Sequence, residues 1–261
     1  MLRYADRRSL VTGGGSGIGQ ATVLRMLAEG GRVVAADVSE QGLADTRAKA
    51  GDAADRLKTI TMDISDEASV KEGVAGAIAF LGGLDALVNA AGILRSSHTE
   101  QTSLESFEQV VRINLVGTFL VIREALPALK QGGNAAVVNF SSTSAAFAHP
   151  YMAAYAASKG GIQSMTHALA AEFAKDGIRF TSVQPGSISS GMTDGSGESR
   201  RSVGPGLPED ADMGLFMKLA PALGQGFASP DTVAGVVAML ASDDGAFITG
   251  TEIRIDGGTH F

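Results

Sequence analysis

Cysteine is absent from this chain of 261 residues, which excludes a disulfide framework, a zinc–thiolate centre and a cysteine nucleophile. Long apolar runs are absent as well. Val233–Leu240 is short and interrupted by Gly235, and it falls well below the ~18 residues of a membrane-spanning helix. The opening segment, MLRYADRRSLV, lacks the apolar stretch of a secretory signal. We therefore expect a cytoplasmic protein that does not bind a membrane.

An excess of positive charge is also lacking, since 28 acidic residues stand against 21 basic ones and the formal net charge is −7. Binding to nucleic acid depends on a basic face that displaces counterions, so we expect no nucleic-acid partner. A Ser-His-Asp hydrolase is not supported, because the chain has no G-x-S-x-G turn. No metal site is expected, since the four histidines share no metal-ligand spacing; they are His98, His149, His167 and His260.

Glycine, in contrast, is abundant: the chain has 34, about 13% of its residues against a usual ~7%. The glycines lie at the ends of short apolar runs, and these runs alternate with longer helical patterns. The predicted strands are Ser9–Thr12, Arg32–Asp37, Leu57–Met62, Leu84–Asn89, Ala135–Ser141, Arg179–Gln184 and Glu252–Ile255. The predicted helices are Gly17–Glu29, Glu40–Ala50, Asp66–Leu81, Leu104–Lys130, Tyr151–Asp176 and Pro230–Ser242.

This alternation determines the predicted fold. Most of the strands are apolar on both faces, as in a parallel sheet that helices cover. Because there is no linker, internal repeat or second core, we predict a single α/β domain over residues 1–261. It should be a Rossmann-type doubly wound parallel sheet of about seven strands with helices on both faces. Ser39 and Ser65 are the predicted N-caps of the second and third helices.

The segment Ser187–Gly226 departs from the alternation. It is rich in glycine, proline, serine and acidic residues, and it contains an apolar patch at Met213–Leu219. Irregular segments of this length are usually lids, binding loops or disordered. Because it follows the carboxyl end of a strand, where open α/β sheets bind ligands, we interpret it as a substrate lid, with disorder as the alternative. Its apolar patch, including Phe216, either closes on the substrate or forms a short core helix.

A glycine-rich turn, Thr12–Gly19, joins the first strand to the first helix. Backbone amides at a helix N-terminus bind phosphate, and glycine lets the backbone approach it closely. The sequence fits neither the usual G-x-G-x-x-G spacing nor a P-loop, because Gln20 stands where each would need another residue. It fits G-x-x-x-G-x-G at Gly13, Gly17 and Gly19. The turn predicts a dinucleotide site, and a turn without a ligand is the alternative.

A carboxylate ends the second strand in Ala35-Ala36-Asp37. In a βαβ dinucleotide unit, a carboxylate about 20 residues beyond the glycines accepts hydrogen bonds from the ribose hydroxyls, and it would repel a 2′-phosphate. Neither Ser16 nor Val38 supplies a cation nearby. We therefore predict NAD as the cofactor, with NADP less favoured. Asp63, at the end of the third strand, is predicted to cap the next helix or to contact the adenine.

The segment Tyr155-Ala156-Ala157-Ser158-Lys159 places a tyrosine and a lysine four residues apart, on one helix face. A tyrosine hydroxyl with an ordinary pKa near 10 is a poor base at neutral pH. A nearby ammonium would stabilise the phenolate and lower that pKa, so the pair could exchange a proton with a carbonyl oxygen. Ser142, at the end of a strand, could hydrogen-bond the same oxygen.

Taken in order, these motifs resemble the short-chain dehydrogenase/reductase family over essentially the whole chain. Thr12–Gly19 is similar to the cofactor turn of the family, and Asn89-Ala90-Ala91-Gly92 to its N-A-G segment. Asn114, Ser142, Tyr155 and Lys159 match the four residues of the family's catalytic tetrad in type and spacing. Pro185-Gly186 matches the turn that passes the nicotinamide, and Thr249-Gly250 with Asp256-Gly257-Gly258 matches the C-terminal signature. Two positions depart from the pattern: Thr181 replaces a frequent asparagine, and Ser190 replaces a frequent threonine.

The resemblance implies an oxidoreductase that moves a hydride between NAD and a carbonyl or alcohol. Tyr155 would be the general acid and base, Ser142 would polarise the oxygen, Lys159 would lower the Tyr155 pKa and hold the nicotinamide ribose, and Asn114 would position a water. The predicted cofactor contacts are Gly13, Gly15, Ser16, Gly17, Ile18, Gly19, Asp37, Val38, Asp63, Ile64, Asn89, Ala90, Gly92, Tyr155, Lys159, Pro185, Gly186, Ile188 and Ser190. A homo-oligomer, most often a tetramer, is also implied.

The substrate itself is not specified by these motifs. A small neutral alcohol or ketone is expected in a mostly apolar pocket, whose candidate residues are Leu94, Ser144, His149, Tyr151 and Met192. Three alternatives to an NAD-dependent alcohol dehydrogenase stay open at this point. They are a catalytically silent dinucleotide-binding or redox-sensing protein, an NADPH-dependent 3-oxoacyl reductase, and an epimerase or dehydratase on the same fold.

Overall fold

The computed structural model describes residues 2–193, 205–224 and 226–260 and contains one seven-stranded sheet. The strands run in the order β3-β2-β1-β4-β5-β6-β7, and each neighbouring pair is parallel. They are β1 (Arg8–Thr12), β2 (Arg32–Asp37), β3 (Leu57–Thr61), β4 (Ala86–Asn89), β5 (Ala135–Phe140), β6 (Ile178–Pro185) and β7 (Thr251–Ile255). The strand order reverses between β1 and β4, and open α/β sheets bind ligands at such a reversal.

Helices occupy the intervals between the strands. They are α1 (Gly17–Ala28), α2 (Glu40–Lys49), α3 (Glu67–Leu81), α4 (Leu104–Val111), α5 (Gly117–Gln131), α6 (Ala153–Phe173) and α7 (Pro230–Leu240). Strands and helices follow the predicted alternation, so the predicted single-domain, doubly wound α/β fold is confirmed. No helix in the described part of the chain is both long enough and apolar enough to cross a membrane.

Alternate residues of the strands pack into two apolar cores, one on each face of the sheet. On β1, Leu10 packs into the core that contains residues of α3, α5 and α6. Its neighbour Val11 packs into the core that contains residues of α1, α2 and α7. Period-two alternation with both faces apolar is what a sheet covered on both sides requires. The two cores hold the strands in register, so that their carboxyl ends form one edge.

Two predicted helices differ from the observed ones by more than one or two residues at an end. The predicted helix Leu104–Lys130 is divided into α4 and α5 by a π-helical turn, Arg112–Val116. The predicted helix Tyr151–Asp176 begins as α6 only at Ala153, because Tyr151 has a left-handed backbone with φ of 65°. A π-turn inside a helix frequently marks a functional position, and this one carries Asn114.

One of the two predicted caps is confirmed. Ser39 caps α2, since its hydroxyl accepts a hydrogen bond from the amide of Gly42 at 3.1 Å. The prediction for Ser65 was wrong: Asp66 caps α3 and accepts from the amides of Ala68 and Ser69. The Ser65 hydroxyl instead donates to the carboxylate of Asp63 at 2.6 Å. A carboxylate was available one residue further along, and it suits the positive end of a helix better than a hydroxyl.

The predicted lid, Ser187–Gly226, is partly described. Residues 194–204 and 225 of this interval lie outside the described residues. The apolar patch forms a short 3-10 helix, Met213–Leu219. Two contacts attach the preceding residues to the domain: the amide of Asp212 donates to the Tyr151 hydroxyl at 2.9 Å, and Asp210 pairs with His98 at 2.9 Å.

Candidate active site

A cleft of about 1150 Å³ lies along the carboxyl edge of the sheet. It extends from the glycine-rich turn to Tyr155 and the apolar helix Met213–Leu219. The cleft therefore brings together motifs that are far apart in sequence. The predicted cofactor residues that line it are Gly13, Gly15, Ser16, Gly17, Ile18, Gly19, Asp37, Val38, Asp63, Ile64, Ala90, Gly92, Tyr155, Lys159, Pro185, Gly186, Ile188 and Ser190.

The glycine-rich turn is packed too tightly for side chains. A Cβ added to Gly19 would lie 2.1 Å from the carbonyl oxygen of Gly13, and one on Gly13 would lie 2.7 Å from the amide nitrogen of Ala91. Gly13 also has a left-handed backbone, with φ of 71°. Ser16 stands at the N-cap of α1, but its side chain caps no amide of the first turn. The helix N-terminus therefore presents its amides to the cleft, and such amides suit a phosphate group.

Asp37 fixes the turn from the end of β2. One carboxylate oxygen accepts from the amide of Gly15 at 3.0 Å, and the other accepts from the amide of Ser39 at 2.9 Å. A Cβ on Gly15 would lie 3.0 Å from this carboxylate. Lys49, which sequence reasoning overlooked, also lines the cleft, where its ammonium donates to the side chain of Gln20 at 2.6 Å.

Four predicted site residues do not line the cleft: Asn114, which is described below, and Asn89, Ser144 and Tyr151. The side-chain amide of Asn89 donates to Asn139 on β5 at 2.9 Å and is buried in the sheet. Ser144 is buried, and its amide donates to the Ser142 hydroxyl at 3.1 Å. Tyr151 stacks on Phe216 with 6.1 Å between ring centroids, and it supports the 3-10 helix Met213–Leu219 from behind. Asn89, Ser144 and Tyr151 thus pack behind the cleft and do not form its walls.

Tyr155 and Ser142 meet inside the cleft. Tyr155 lies in the first turn of α6, and Ser142 follows β5; both are buried, and Ser142 hydrogen-bonds the tyrosine side chain. Burial raises the pKa of Tyr155 to about 12, and the hydrogen bond to Ser142 opposes that rise. The predicted lowering of this pKa by Lys159 is not seen, because the shift is set by burial and by the Ser142 hydroxyl. Tyr155 is thus a neutral phenol at physiological pH.

Lys159 is one helical turn beyond Tyr155 and is also buried. Its ammonium donates to the carbonyl oxygen of Phe140 at 2.7 Å and lies 5.6 Å from the centroid of the Tyr155 ring. Burial lowers the pKa of Lys159 to about 8. A Cβ on Gly92 would lie 3.0 Å from the side-chain oxygen of Asn114, so the glycine of the N-A-G segment leaves room for that asparagine.

The lowered pKa of Lys159 makes a prediction about stability. Between pH 8 and its ordinary pKa of 10.5, the unfolded chain binds more protons at this lysine than the folded chain, so the lysine's contribution to the free energy of unfolding rises with pH. The contribution is fully present above pH 10.5 and is lost as pH falls through about 8. We expect Lys159→Met to flatten this part of the profile, measured by urea unfolding of both proteins at several pH values. A constant difference between the two proteins across this window would contradict the assignment.

Asn114 links the cleft wall to α6. Its side-chain nitrogen donates to the carbonyl oxygen of Ile93 at 2.9 Å and to the Ser158 hydroxyl at 3.0 Å, while its oxygen accepts from the amide of Ile93 at 2.8 Å. The Ser158 hydroxyl in turn donates to the carbonyl oxygen of Tyr155 at 2.7 Å. Asn114 therefore fixes the turn of α6 that carries Tyr155 and Lys159. That it positions a water stays a prediction.

The far end of the cleft has mostly apolar walls. Leu94, His149 and Met192 line it as predicted. Sequence reasoning overlooked several other lining residues there: Thr143, Met152, Leu207 and Thr259. The position of Thr143, directly after Ser142 at a strand end, was a usable signal for its place in the cleft. The other three are brought in by loops and by the C-terminal segment, and no local pattern marks them.

The comparisons with known proteins agree with this geometry. The family model for short chain dehydrogenases matches residues 7–201. Levodione reductase of Leifsonia aquatica is 36% identical over 259 residues, covering 98% of this chain and 95% of that protein. The 3-oxoacyl-[acyl-carrier-protein] reductase of Thermotoga maritima is 34% identical over 257 residues, covering 98% and 99%. The crystal structure of a short chain dehydrogenase from Mycobacterium paratuberculosis bound to NAD has a TM-score of 0.89 at 30% identity, covering 98% of each chain. The chain therefore belongs to the short-chain dehydrogenase/reductase family of oxidoreductases.

Proposed function

We propose that this protein is an NAD(H)-dependent oxidoreductase that interconverts a secondary alcohol and a ketone, with Tyr155 as the general acid and base. The observation that carries the proposal is the cleft itself. The phosphate-binding turn at one end and the Ser142–Tyr155–Lys159 set near the other line one continuous cavity. A cofactor bound on the turn and a substrate held at Tyr155 would therefore meet.

The residues of the cleft fit a nicotinamide dinucleotide. Uncapped amides at the start of α1 suit the pyrophosphate, and the Asp37 carboxylate suits the ribose hydroxyls. When bound, the dinucleotide would supply or accept the hydride. The chain itself would supply the proton: Tyr155 donates from its hydroxyl to the carbonyl oxygen during reduction and accepts it back during oxidation. Ser142 would orient that oxygen, and Lys159 would hold the nicotinamide ribose.

Asp37 supports NAD over NADP. Its carboxylate lines the cleft where the adenosine ribose would lie, and a 2′-phosphate would be repelled by its negative charge. Lys49 is the cation that could counter this repulsion, but its ammonium is already engaged with Gln20. The coenzyme preference therefore depends on which of the two charges faces the ribose.

A titration of the purified protein with NADH and with NADPH, followed by nicotinamide fluorescence, tests this proposal. We expect NADH to bind about tenfold tighter than NADPH or better, and Asp37→Ala to abolish most of that difference, since one displaced charge–phosphate contact is worth about 1–2 kcal/mol. Asp52→Ala removes the same charge from an exposed residue outside the cleft, and it should leave the ratio unchanged.

Each other outcome has a definite meaning. Preference for NADPH would assign the 2′-phosphate to Lys49 and favour a 3-oxoacyl reductase, the activity in the name of the Thermotoga maritima relative. Binding of NADH without turnover of any alcohol or ketone would favour a silent dinucleotide-binding protein. Binding of neither coenzyme would overturn the proposal as a whole.

We propose further that the substrate is a small neutral alcohol or ketone and that the protein is a homotetramer. The mostly apolar far end of the cleft supports the first point. The second is supported by apolar side chains exposed on α4, α5 and the loop before β7, namely Leu104, Phe107, Phe119 and Phe247. The cytoplasmic location stays a prediction from the sequence.

A further inference from the structure

His149 is the one histidine among the described residues that lines the cleft. It lies between β5 and α6 and shares the cleft with Ser142 and Tyr155. The proton transfer described above does not use it. A polar ring on an otherwise apolar wall is a natural determinant of substrate orientation.

The hydrogen bonds of His149 determine which of its nitrogens carries a proton. Its Nδ1 atom lies 3.2 Å from the carbonyl oxygen of Phe147. A carbonyl oxygen only accepts, so Nδ1 is the protonated nitrogen. Burial lowers the pKa of His149; the hydrogen bond to the Phe147 carbonyl opposes this, and the neighbouring His260 adds to the lowering. The ring is therefore neutral at physiological pH, and Nε2 bears a free lone pair and acts as an acceptor.

The present partner of Nε2 is one that can move away. The Thr143 hydroxyl lies 3.3 Å from Nε2, a long contact for a hydrogen bond. The same hydroxyl lies within 3.5 Å of the carbonyl oxygen of Pro185. The Thr143 hydroxyl can therefore turn to the Pro185 carbonyl and release Nε2, and it keeps a hydrogen-bond partner when it does so. A ligand that brings its own donor can then occupy the acceptor of His149.

We propose, on the basis of the proposed function, that His149 recognises a second hydroxyl group of the substrate, so that the substrate is a diol or a hydroxyketone. A hydroxyl can donate a hydrogen bond to Nε2. A second carbonyl could not, because its oxygen and Nε2 are both acceptors. Leu94, Met152 and Phe216 enclose the carbon skeleton between the two polar ends. In the oxidation, Tyr155 first loses its own proton to solvent. The carbinol C–H bond then breaks with transfer of its hydride to the oxidised dinucleotide, the proton of that hydroxyl passes to the Tyr155 phenolate, and the second hydroxyl is unchanged.

Cyclohexanol and the three positional cyclohexanediols test this inference, because they share a ring and differ by one hydroxyl. We expect at least one diol to exceed cyclohexanol about tenfold in kcat/KM, chiefly through KM, as one added hydrogen bond would give. His149→Phe keeps an aromatic ring without the acceptor, and it should reduce that ratio to near one. His260→Phe is the matched control: His260 stacks on Phe147 at 4.0 Å and does not line the cleft, so the diol preference should persist.

The pH profile gives a readout that a purely structural role of His149 would not. Protonation converts Nε2 from acceptor to donor, so a substrate hydroxyl can then meet it only through its oxygen and its own hydrogen loses the acceptor on this apolar wall. The diol preference should therefore fall as pH drops below the ordinary histidine pKa of 6.5, while KM for cyclohexanol stays level. The titratable and charged groups around the ring are Tyr155 in the cleft and His260, with Asp256 and Arg254 beside His260. His260→Phe removes the titrating neighbour, and a profile that keeps its fall in this variant assigns the titration to His149.

Failure of this inference is distinguishable from failure of the proposed function. Turnover of cyclohexanol with diols no better, or a diol preference that survives in His149→Phe, would overturn the role of His149 alone. If turnover of all four alcohols is too slow to measure, binding to the enzyme–NADH complex is compared by nicotinamide fluorescence. Equal affinity for diols and cyclohexanol there would overturn the inference as well.

Discussion

Tyr155→Phe is expected to lower kcat for ketone reduction by about 10³-fold, within the range that a general acid contributes. The variant removes one hydroxyl from a buried ring and leaves that ring in place. Burial holds the pKa of Tyr155 at about 12, so the wild-type hydroxyl carries its proton at neutral pH and can give it to the carbonyl oxygen. In the variant the donor at position 155 is gone, the nearby Ser158 hydroxyl already donates to the backbone carbonyl of residue 155, and the ketone oxygen would need a proton from water.

The measurement combines steady-state kinetics with a coenzyme titration of the same variant. Affinity for NADH should change little, because the phosphate-binding turn and Asp37 are remote from this ring. Ser142→Ala is the comparison. It should lower kcat less than Tyr155→Phe does, since the Tyr155 hydroxyl is kept and only its hydrogen-bond partner is lost. A Tyr155→Phe variant with the turnover of the wild type would contradict the role of Tyr155 as general acid and base. Loss of NADH binding would instead mean that the substitution had disturbed the cleft.

The sequence was sufficient to predict the fold because its signals are local and repeated. Apolar strands ending in glycine, with helical patterns between them, leave few arrangements other than a doubly wound sheet. The order of motifs along the chain then placed the turn, Asp37 and Tyr155 at one edge of that sheet. The positions of Ser142 and of the glycine-rich turn followed from their place at strand ends. The position of Lys159 followed from its place one helical turn beyond Tyr155.

What could not be predicted depends on contacts between distant segments. The pair rule for Tyr155 and Lys159 gave the wrong direction for the tyrosine pKa, because the rule counts a charge and not the burial produced by the surrounding walls. Asn89, the last residue of β4, was assigned to the cofactor because it begins the segment that resembles N-A-G, yet its side chain turns into the sheet toward Asn139. Tyr151 was placed on a helix that begins two residues later, because a left-handed backbone at a tyrosine leaves no pattern in sequence.

Gly19→Ala is expected to weaken the coenzyme-dependent kcat/KM by about 100-fold, as a displacement of about 1 Å in a positioning element does. The added Cβ would lie 2.1 Å from the carbonyl oxygen and 2.7 Å from the carbonyl carbon of Gly13. Both atoms are backbone, so no side chain can rotate out of the way and the turn itself must move. The turn and the start of α1 would then no longer present their amides together. Strain of this kind also costs about 1–3 kcal/mol of folding stability.

Gly76→Ala is the matched control, since it makes the same chemical change in the middle of α3, away from the cleft. There the new Cβ meets only the Cδ1 atom of Ile60, at an ordinary 3.6 Å, and alanine in a helix interior is favoured over glycine by about 0.5–1 kcal/mol. The midpoint temperature of thermal unfolding should therefore rise for Gly76→Ala and fall for Gly19→Ala. The affinity for NADH should stay unchanged in Gly76→Ala and decrease in Gly19→Ala. If Gly19→Ala bound NADH with the affinity of the wild type, the glycine-rich turn would not be the phosphate site. A turn that tolerates a methyl group at this contact is not packed closely enough to hold its amides in one direction.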